Sequence, residues 1–311
     1  MGEPFESALA RHRAELLRHS YRMLGSFHDA EEAVQDALLN AWQARASYTG
    51  AAPVRHWLFR IVTNTCLNAR KAKRRLAEHQ FAVAAGPGEL PSAVDPRGFV
   101  TPAADAALFP LSTEADPAQR VEARESIALA FVALLQELPP KPRAAWLLKE
   151  VVGFSVDEIA EALELSAPAV ASALHRARAQ LESAQKPPAL REPPRELVGE
   201  YVRCWEQRDL TALLGLLHRD VALTMPPFPF WFEGKPAVAR FFESSGFQSF
   251  WASGLRVVPT RANGQLAFVF HRNGGHARHS VQLASFDGTL FTALPTFIGA
   301  YFLEGFVDSR T

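Results

Sequence analysis

The sequence predicts a multidomain chain in which two all-α blocks precede an α+β domain. Three observations predict it. Apolar residues recur near the helical 3.6-residue period over 5–24, 29–42 and 54–75. Ser155-Val156-Asp157-Glu158 and then Ser166 open two helices separated by a short turn, which is a helix-turn-helix pattern. After Leu217 the texture changes to short apolar runs punctuated by Asn263-Gly264, Asn273-Gly274 and Asp287-Gly288, the dipeptides of tight hairpins.

The chain has 311 residues, 48% of them apolar and 21% charged, enough for two or three domains with cores of their own. No apolar run approaches the roughly 18 residues that cross a bilayer, and the first residues carry no signal pattern, so the expected compartment is the cytoplasm with no membrane partner. Cys66 and Cys204 have no partner motif, which argues against a disulfide framework or a cysteine zinc site. Neither a cofactor nor a metal is expected. Residues 81–115 hold five prolines without helical periodicity and read as a flexible linker, and Pro187-Pro188 to Pro193-Pro194 forms a second break. The expected blocks are therefore 1–80, 116–185 and 195–311. The 33 basic and 33 acidic residues cancel overall, yet residues 1–80 carry 12 basic against 8 acidic side chains. A polyanion partner for the first block fits that bias.

In the first block, Phe5, Leu9, Leu16, Leu17, Tyr21 and Leu24 mark one helix. Asp29 and Glu32 give a capping-box pattern for a second. A third should run from Val54 to Arg75 with Trp57, Leu58, Ile61, Val62 and Leu67 inward. In the middle block, Ser155 to Leu163 and Ser166 to about Leu181 form the helix pair, whose outward face offers Ser172, His175, Arg176 and Arg178. Glu164 occupies the turn where glycine often sits, at a cost of about 1 kcal/mol if left-handed. Ala171 and Ala173 withhold two potential donors. In the last block, Glu196 to Leu217 reads as an amphipathic helix, with strands at Ala222–Met225 and Leu266–Phe270.

Two surfaces of the first block carry chemistry. Asp29, Glu31, Glu32, Gln35, Asp36 and Asn40 make an acidic-polar helix face, which is either a docking surface or a solvated one. Arg55, His56, Trp57, Arg60, Asn64, Asn68, Arg70 and Lys71 interleave cations with aromatic and amide groups on the next helix. That mixture suits single-stranded nucleic acid, in which bases lie on rings while cations follow phosphate; alternatively Trp57 and Phe59 plug the core.

Together, His19-Ser20-Tyr21-Arg22-Met23-Leu24-Gly25-Ser26, Asp29-Ala30-Glu31-Glu32-Ala33-Val34-Gln35-Asp36 and Trp57-Leu58-Phe59-Arg60-Ile61-Val62-Thr63-Asn64 resemble region 2 of extracytoplasmic-function (ECF) sigma factors. Leu138-Pro139-Pro140 with Arg143, Gly153-Phe154-Ser155-Val156-Asp157-Glu158-Ile159-Ala160 and Leu174-His175-Arg176-Ala177-Arg178 resemble their region 4, with Pro142 a departure. The resemblance implies core RNA polymerase and promoter DNA as partners. It implies that Asp29, Glu32, Gln35, Asp36, Asn40 and Trp42 grip the β′ clamp coiled coil, and that the β flap is a second contact. Tyr48, Arg55, Trp57, Arg60, Asn64, Asn68 and Lys71 would capture the melted −10 element, and Ser166, Ser172, His175, Arg176 and Arg178 the −35 duplex.

The last block, through Tyr201, Trp205, Asp209, Leu213, Asp220-Val221, Met225-Pro226-Pro227 and Trp231-Phe232-Glu233-Gly234, resembles the SnoaL-like fold, a curved sheet wrapped into a cone. Nine aromatics in the 27 residues Met225–Trp251 imply a large core or an apolar pocket, with Phe228, Trp231, Phe242, Trp251 and Phe270 as candidate walls for a small ligand. Asp287 in its Asp-Gly turn should keep an ordinary pKa, and His276 and His279 should sit in a loop. With no recognisable acid-base pair, catalysis is not expected and regulation of the sigma regions is. A ligand-sensing helix-turn-helix regulator and a SnoaL-like isomerase or cyclase remain the alternatives.

Overall fold

The structure, a computed structural model, describes residues 5–73, 95–110, 126–184, 191–229 and 231–306. Most of the expected linker, 81–94 and 111–115, lies outside them. Two compact units result: one holds Met1–Leu76 with Ala107–Pro188, the other Ala77–Ala106 with Ala189–Thr311.

The first unit begins with α1 (Phe5–Leu24), α2 (Phe27–Gln43) and α3 (Val54–Lys73). Leu16, Leu17 and Tyr21 of α1, Ala30, Ala33, Val34, Ala37 and Ala41 of α2 and Leu58, Phe59, Val62 and Cys66 of α3 are all buried. The small residues of α2 let the three helices approach closely. The inward stripe of α3 thus differs from the expected one: Phe59 and Cys66 are in the core, while Trp57, Ile61 and Leu67 are half-exposed. The start of α2 also differs. Ser26, not Asp29, is its N-cap, with Ser26 Oγ accepting from the Asp29 amide at 3.3 Å. Gly25, which ends α1, has φ +73°, and a Cβ there would meet the Gln136 side chain at 2.9 Å. The positive φ favours glycine here, and any larger residue would also have to displace the end of the Gln136 side chain.

A short helix α4 (Asp105–Leu108) precedes α5 (Leu129–Gln136) and α6 (Pro140–Leu147), and the last runs into a π turn over Leu148–Val152. The pair α7 (Val156–Leu163) and α8 (Ala167–Ser183) follows. Both predicted caps form: Ser155 and Glu158 make the reciprocal capping box, and Ser166 Oγ accepts from the Ala169 amide. Glu164 does adopt the left-handed conformation, at φ 52°. Ala173 is buried, so that position belongs to the core and not to the outward face of α8.

His19 is a buried polar group with a consequence for stability. The Thr63 hydroxyl donates to the Phe59 carbonyl at 2.7 Å, so His19 Nε2 is the donor in the 2.9 Å contact with Thr63 Oγ1. Nδ1 has no partner. Burial, then the charges of Arg22 and Arg55, push the His19 pKa down to about 3 from 6.5. The unfolded chain therefore takes up this proton first as pH falls. The stability linked to a neutral His19 is complete above pH 6.5 and is lost between 6.5 and 3, at about 1.4 kcal/mol per pH unit. Between pH 7 and pH 5 the first unit should lose roughly 2 kcal/mol, and His19→Gln should flatten that dependence in denaturant titrations at the two pH values.

The second unit contains α9 (Arg195–Gln207), α10 (Leu210–Gly215), β1 (Leu217–Thr224), β2 (Trp231–Glu233), α11 (Lys235–Glu243), α12 (Ser245–Trp251), β3 (Arg256–Ala262), β4 (Gln265–Arg272), β5 (Ala277–Leu283), β6 (Ser285–Phe286) and β7 (Phe291–Ile298). The expected single helix to Leu217 is broken. Arg208 at φ 58° ends α9, and Asp209 caps α10 through the Ala212 amide at 2.9 Å. The sheet order is β2-β1-β7-β5-β4-β3, with β6 on β7; β1 and β7 are parallel and the remaining pairs antiparallel. All three predicted turn dipeptides join adjacent strands. At Asn263-Gly264 both residues have positive φ, as a two-residue hairpin turn demands. Helices α9 to α12 close the concave side over Tyr201, Trp205, Phe242, Phe268 and Phe291.

Part of the expected linker is structured on this unit. Phe99, Thr101, Ala103 and Ala104 are buried, and Ala104 bridges to Ala262 at the end of β3. Ala103 and Asn263 exchange two hydrogen bonds, at 2.9 and 3.0 Å. Asp105 accepts from the Gly264 amide at 2.8 Å and from Arg261 Nε at 3.3 Å. Composition could not show this, because the segment gains order from another element's turn and not from its own periodicity.

Candidate nucleic-acid interface and cavity

On α2, Glu32, Gln35, Asp36, Asn40 and Trp42 are exposed and Asp29 is half-exposed. Leu39, 55% exposed, lies among them. It went unnoticed in the sequence, although an apolar residue seven positions after Glu32 falls on the polar face. Asp29, Glu32, Asp36, Leu39 and Asn40 line a groove with Thr65 and Asn68 of α3. The structure therefore places Asn68, assigned by resemblance to DNA, beside the acidic set.

Trp57 and Trp42 flank Phe5, and Tyr48 lies on Trp57. The Tyr48 and Trp57 rings are 5.3 Å apart, Phe5 lies 5.9 Å from Trp57 and 6.3 Å from Trp42, and the Arg45 guanidinium sits 4.4 Å over Trp42. Trp57 is thus one face of a surface aromatic cluster, while Phe59 is core.

Arg55, His56, Arg60 and Asn64 of α3 are engaged. Arg55 pairs with both carboxylate oxygens of Glu15, donates to the Val152 carbonyl at 3.1 Å and lies over Phe59. Glu15 is half-buried, and burial alone would raise its pKa. The Arg55 hydrogen bonds and charge outweigh this and hold the carboxyl below its usual value. Further along, Arg60 Nη1 lies 2.7 Å from Glu161 Oε1, and Asn64 donates to the Ala162 carbonyl at 3.1 Å. His56 Nδ1 is 2.8 Å from Glu158 Oε1 but lacks hydrogen-bond alignment, and its ring lies against Phe154 at 4.4 Å. One face of α3 is therefore packed on α7, the first helix of the helix-turn-helix. The side chain of Lys71 lies outside the described residues.

On α8, Ser166, Ser172, His175, Arg176 and Arg178 are all exposed. Arg176 is steadied by Ser172 Oγ at 2.9 Å, whereas Arg178 reaches back to Glu150 at 2.6 Å. Exposed pairs of this kind contribute about 0.2–1 kcal/mol and exchange readily for phosphate.

The second unit holds a cavity of about 230 Å³ that is open at one side. Phe228, Phe242 and Phe270 line it, together with Trp205, Phe241, Phe247 and Phe250. Trp231 does not: it is 42% exposed on β2. Trp251 does not either, because its indole N–H donates to the Trp205 carbonyl from within the core. His279 stands on β5 and not in a loop, half-buried at the cavity wall. Burial, then the charge of Arg272, push its pKa down to about 4. Asp287 also departs from expectation, lowered by the amides of Leu290 and Thr289.

Comparison with known proteins accords with this geometry. Residues 8–76 match sigma-70 region 2, residues 128–181 match sigma-70 region 4, and residues 198–294 match the SnoaL-like domain. These define the class, a sigma-70-type factor joined to a SnoaL-like domain. The chain is 36% identical over 294 residues to the ECF RNA polymerase sigma factor SigG of Mycobacterium tuberculosis H37Rv, covering 91% of this chain and 77% of that protein. It is 30% identical over 177 residues to SigM of the Erdman strain, covering 57% and 74%. The chain belongs to the ECF sigma factors of RNA polymerase. The crystal structure of M. tuberculosis SigJ superposes with TM-score 0.63 at 21% identity over 97% of this chain and 99% of that one, which shows the shared fold. Sigma factors bind core polymerase and promoter DNA. No helix among the described residues is long and apolar enough to cross a membrane.

Proposed function

We propose that the exposed face of α2, from Asp29, Glu32, Gln35, Asp36 and Asn40 to Trp42, holds the β′ clamp coiled coil of core polymerase, with Leu39 as its apolar anchor, and that region 4 meets the β flap. Tyr48, Arg55, Trp57, Arg60, Asn64, Asn68 and Lys71 take the −10 strand. Ser166, Ser172, His175, Arg176 and Arg178 take the −35 duplex. The SnoaL-like domain regulates these regions and is not an enzyme. In support, the described residues lining its cavity include His279 and Arg272 but no carboxylate that could complete an acid-base pair.

The observation that carries the regulatory reading is the seat of residues 99–105 on the Asn263-Gly264 hairpin. The chain that joins region 2 to region 4 is held by the C-terminal domain. The resemblance to ECF sigma factors implies that this segment threads through the polymerase, so docking and holoenzyme assembly would compete for it. A tethered contact faces an effective concentration near millimolar, so a few hydrogen bonds suffice. Asp105→Ala removes a charge-assisted pair and leaves the Gly264 amide unmatched, a change of about 1.5–3 kcal/mol in docking. Run-off transcription with core polymerase should rise several-fold in the variant. Equal yields from Asp105→Ala, full-length protein and a chain ending before Ala189 would sink the reading.

A further inference from the structure

The cavity of the C-terminal domain has two chemically distinct ends. Its inner wall is aromatic: Phe242 and Phe247 are stacked at 4.6 Å, and Trp205 meets Phe270 edge-on at 4.8 Å. These rings are packed against one another, so the wall is pre-formed and requires no rearrangement to accept an apolar body. At about 230 Å³ the space lies below the range of drug-sized ligand pockets, which limits the occupant to one or two fused rings or a comparable branched body.

The other end is polar and consists of Arg272, His279, Ser280, Gln282 and Thr296. Most of their hydrogen-bonding capacity is directed. Tyr201 donates to Gln282 Oε1, Gln282 Nε2 donates to Thr296 Oγ1 at 2.7 Å, and the Thr296 hydroxyl passes the chain on to the Leu294 carbonyl at 3.2 Å. This relay fixes the Gln282 amide with one N–H still available. Arg272 is different. Its Nε donates to Ser253 Oγ at 3.3 Å and its guanidinium lies 5.6 Å over the Phe250 ring, but among the described residues no carboxylate pairs with it. His279 lies on the same Phe250 ring at 4.6 Å, and its Nδ1 is 3.2 Å from Ser280 Oγ.

A half-buried guanidinium lacking a counter-charge at the wall of an aromatic cavity is an anion receptor. Guanidinium and carboxylate match in geometry through two parallel N–H···O contacts. One cation beside a neutral imidazole offsets a single charge, which favours a monoanion over a phosphate. We propose that this cavity binds a small organic monocarboxylate with a flat apolar body, the body among Trp205, Phe242, Phe247 and Phe270 and the carboxylate against Arg272. This deepens the regulatory reading by naming what such a domain would sense, but binding is measured directly, so its failure leaves the transcription test standing.

Isothermal titration of the full chain with naphthoate and with naphthamide, its uncharged isostere, tests the proposal. Saturable one-to-one binding of naphthoate, at least tenfold tighter than the amide, is expected. Arg272→Gln should equalise the two, while Arg272→Lys should keep part of the preference. Equal affinities for acid and amide in the unmodified protein, no saturable binding, or an undiminished preference for the acid in Arg272→Gln would each overturn it.

Discussion

Replacing Arg143 with methionine is expected to lower the stability of the N-terminal unit by about 4 kcal/mol, among the largest effects available to a single substitution. Arg143 is fully buried and donates to the carbonyls of Met23 at 2.6 Å, Gln136 at 2.8 Å and Leu138 at 2.8 Å, and to Gln136 Oε1. The acceptors explain how a buried cation is tolerated. Met23 lies at the C-terminal end of α1 and Gln136 at that of α5, where unpaired carbonyls carry partial negative charge. Methionine relieves the burial of a charge but leaves these oxygens dry, and each orphaned acceptor costs about 1–3 kcal/mol. Four orphans outweigh one relieved desolvation. The first calorimetric transition should fall by roughly 10 °C for a unit of this size, with Arg143→Lys rescuing little because an ammonium lacks the fork. A melting temperature within about 2 °C of the parent would show that the cluster contributes nothing net. Since Met23 and Arg143 belong to different sigma regions, the variant should also loosen region 2 from region 4.

What was legible in the sequence is what local chemistry determines. Ser155 and Glu158 specify a helix start within four residues, and Asn263-Gly264 specifies a turn within two; both formed as read. The family motifs carried the rest of the N-terminal fold. What was not legible depends on partners distant in sequence. The β1–β7 pairing joins Leu223 to Leu294 and has no local signature, so a parallel contact is absent from a reading based on hairpins. The seat of Ala103 and Asp105 depends on Asn263 and Gly264, some 160 residues away. Arg55 and Arg60 read as cations awaiting phosphate, because charge patterning shows which residues can bind an anion and not which anion they already face. Trp251 and Trp231 both miss the cavity wall, one buried in the core and the other exposed, for a related reason: composition places aromatics in a domain without saying which line its cavity.

Reversing the charge of Glu161, combined with Glu158→Gln, should free the surface of α3 proposed above to take the −10 strand. The present contacts are Arg60 to Glu161 at 2.7 Å, His56 to Glu158 at 2.8 Å, Asn64 to the Ala162 carbonyl and Arg55 to the Val152 carbonyl. Glu161 is 73% exposed, so its pair is worth at most about 1 kcal/mol. Lysine in its place replaces that attraction with a repulsion of similar size. Glutamine at 158 deletes the second carboxylate and still accepts from the Ser155 amide, so the capping box and α7 survive. Together the changes favour separation of α3 from α7 by about 2 kcal/mol, roughly a 30-fold shift in the open population. If closure limits DNA capture, fluorescence anisotropy with a single-stranded −10 oligonucleotide should show about tenfold tighter binding at low salt, and the gain should shrink as salt rises. The added positive charge is a competing explanation, and Glu182→Lys on α8, outside the α3–α7 contact, controls for it. An equal gain from Glu182→Lys would mean that general electrostatics acts, whereas a gain confined to the Glu161 variants would mean that α7 covers the strand-binding face until the two regions part.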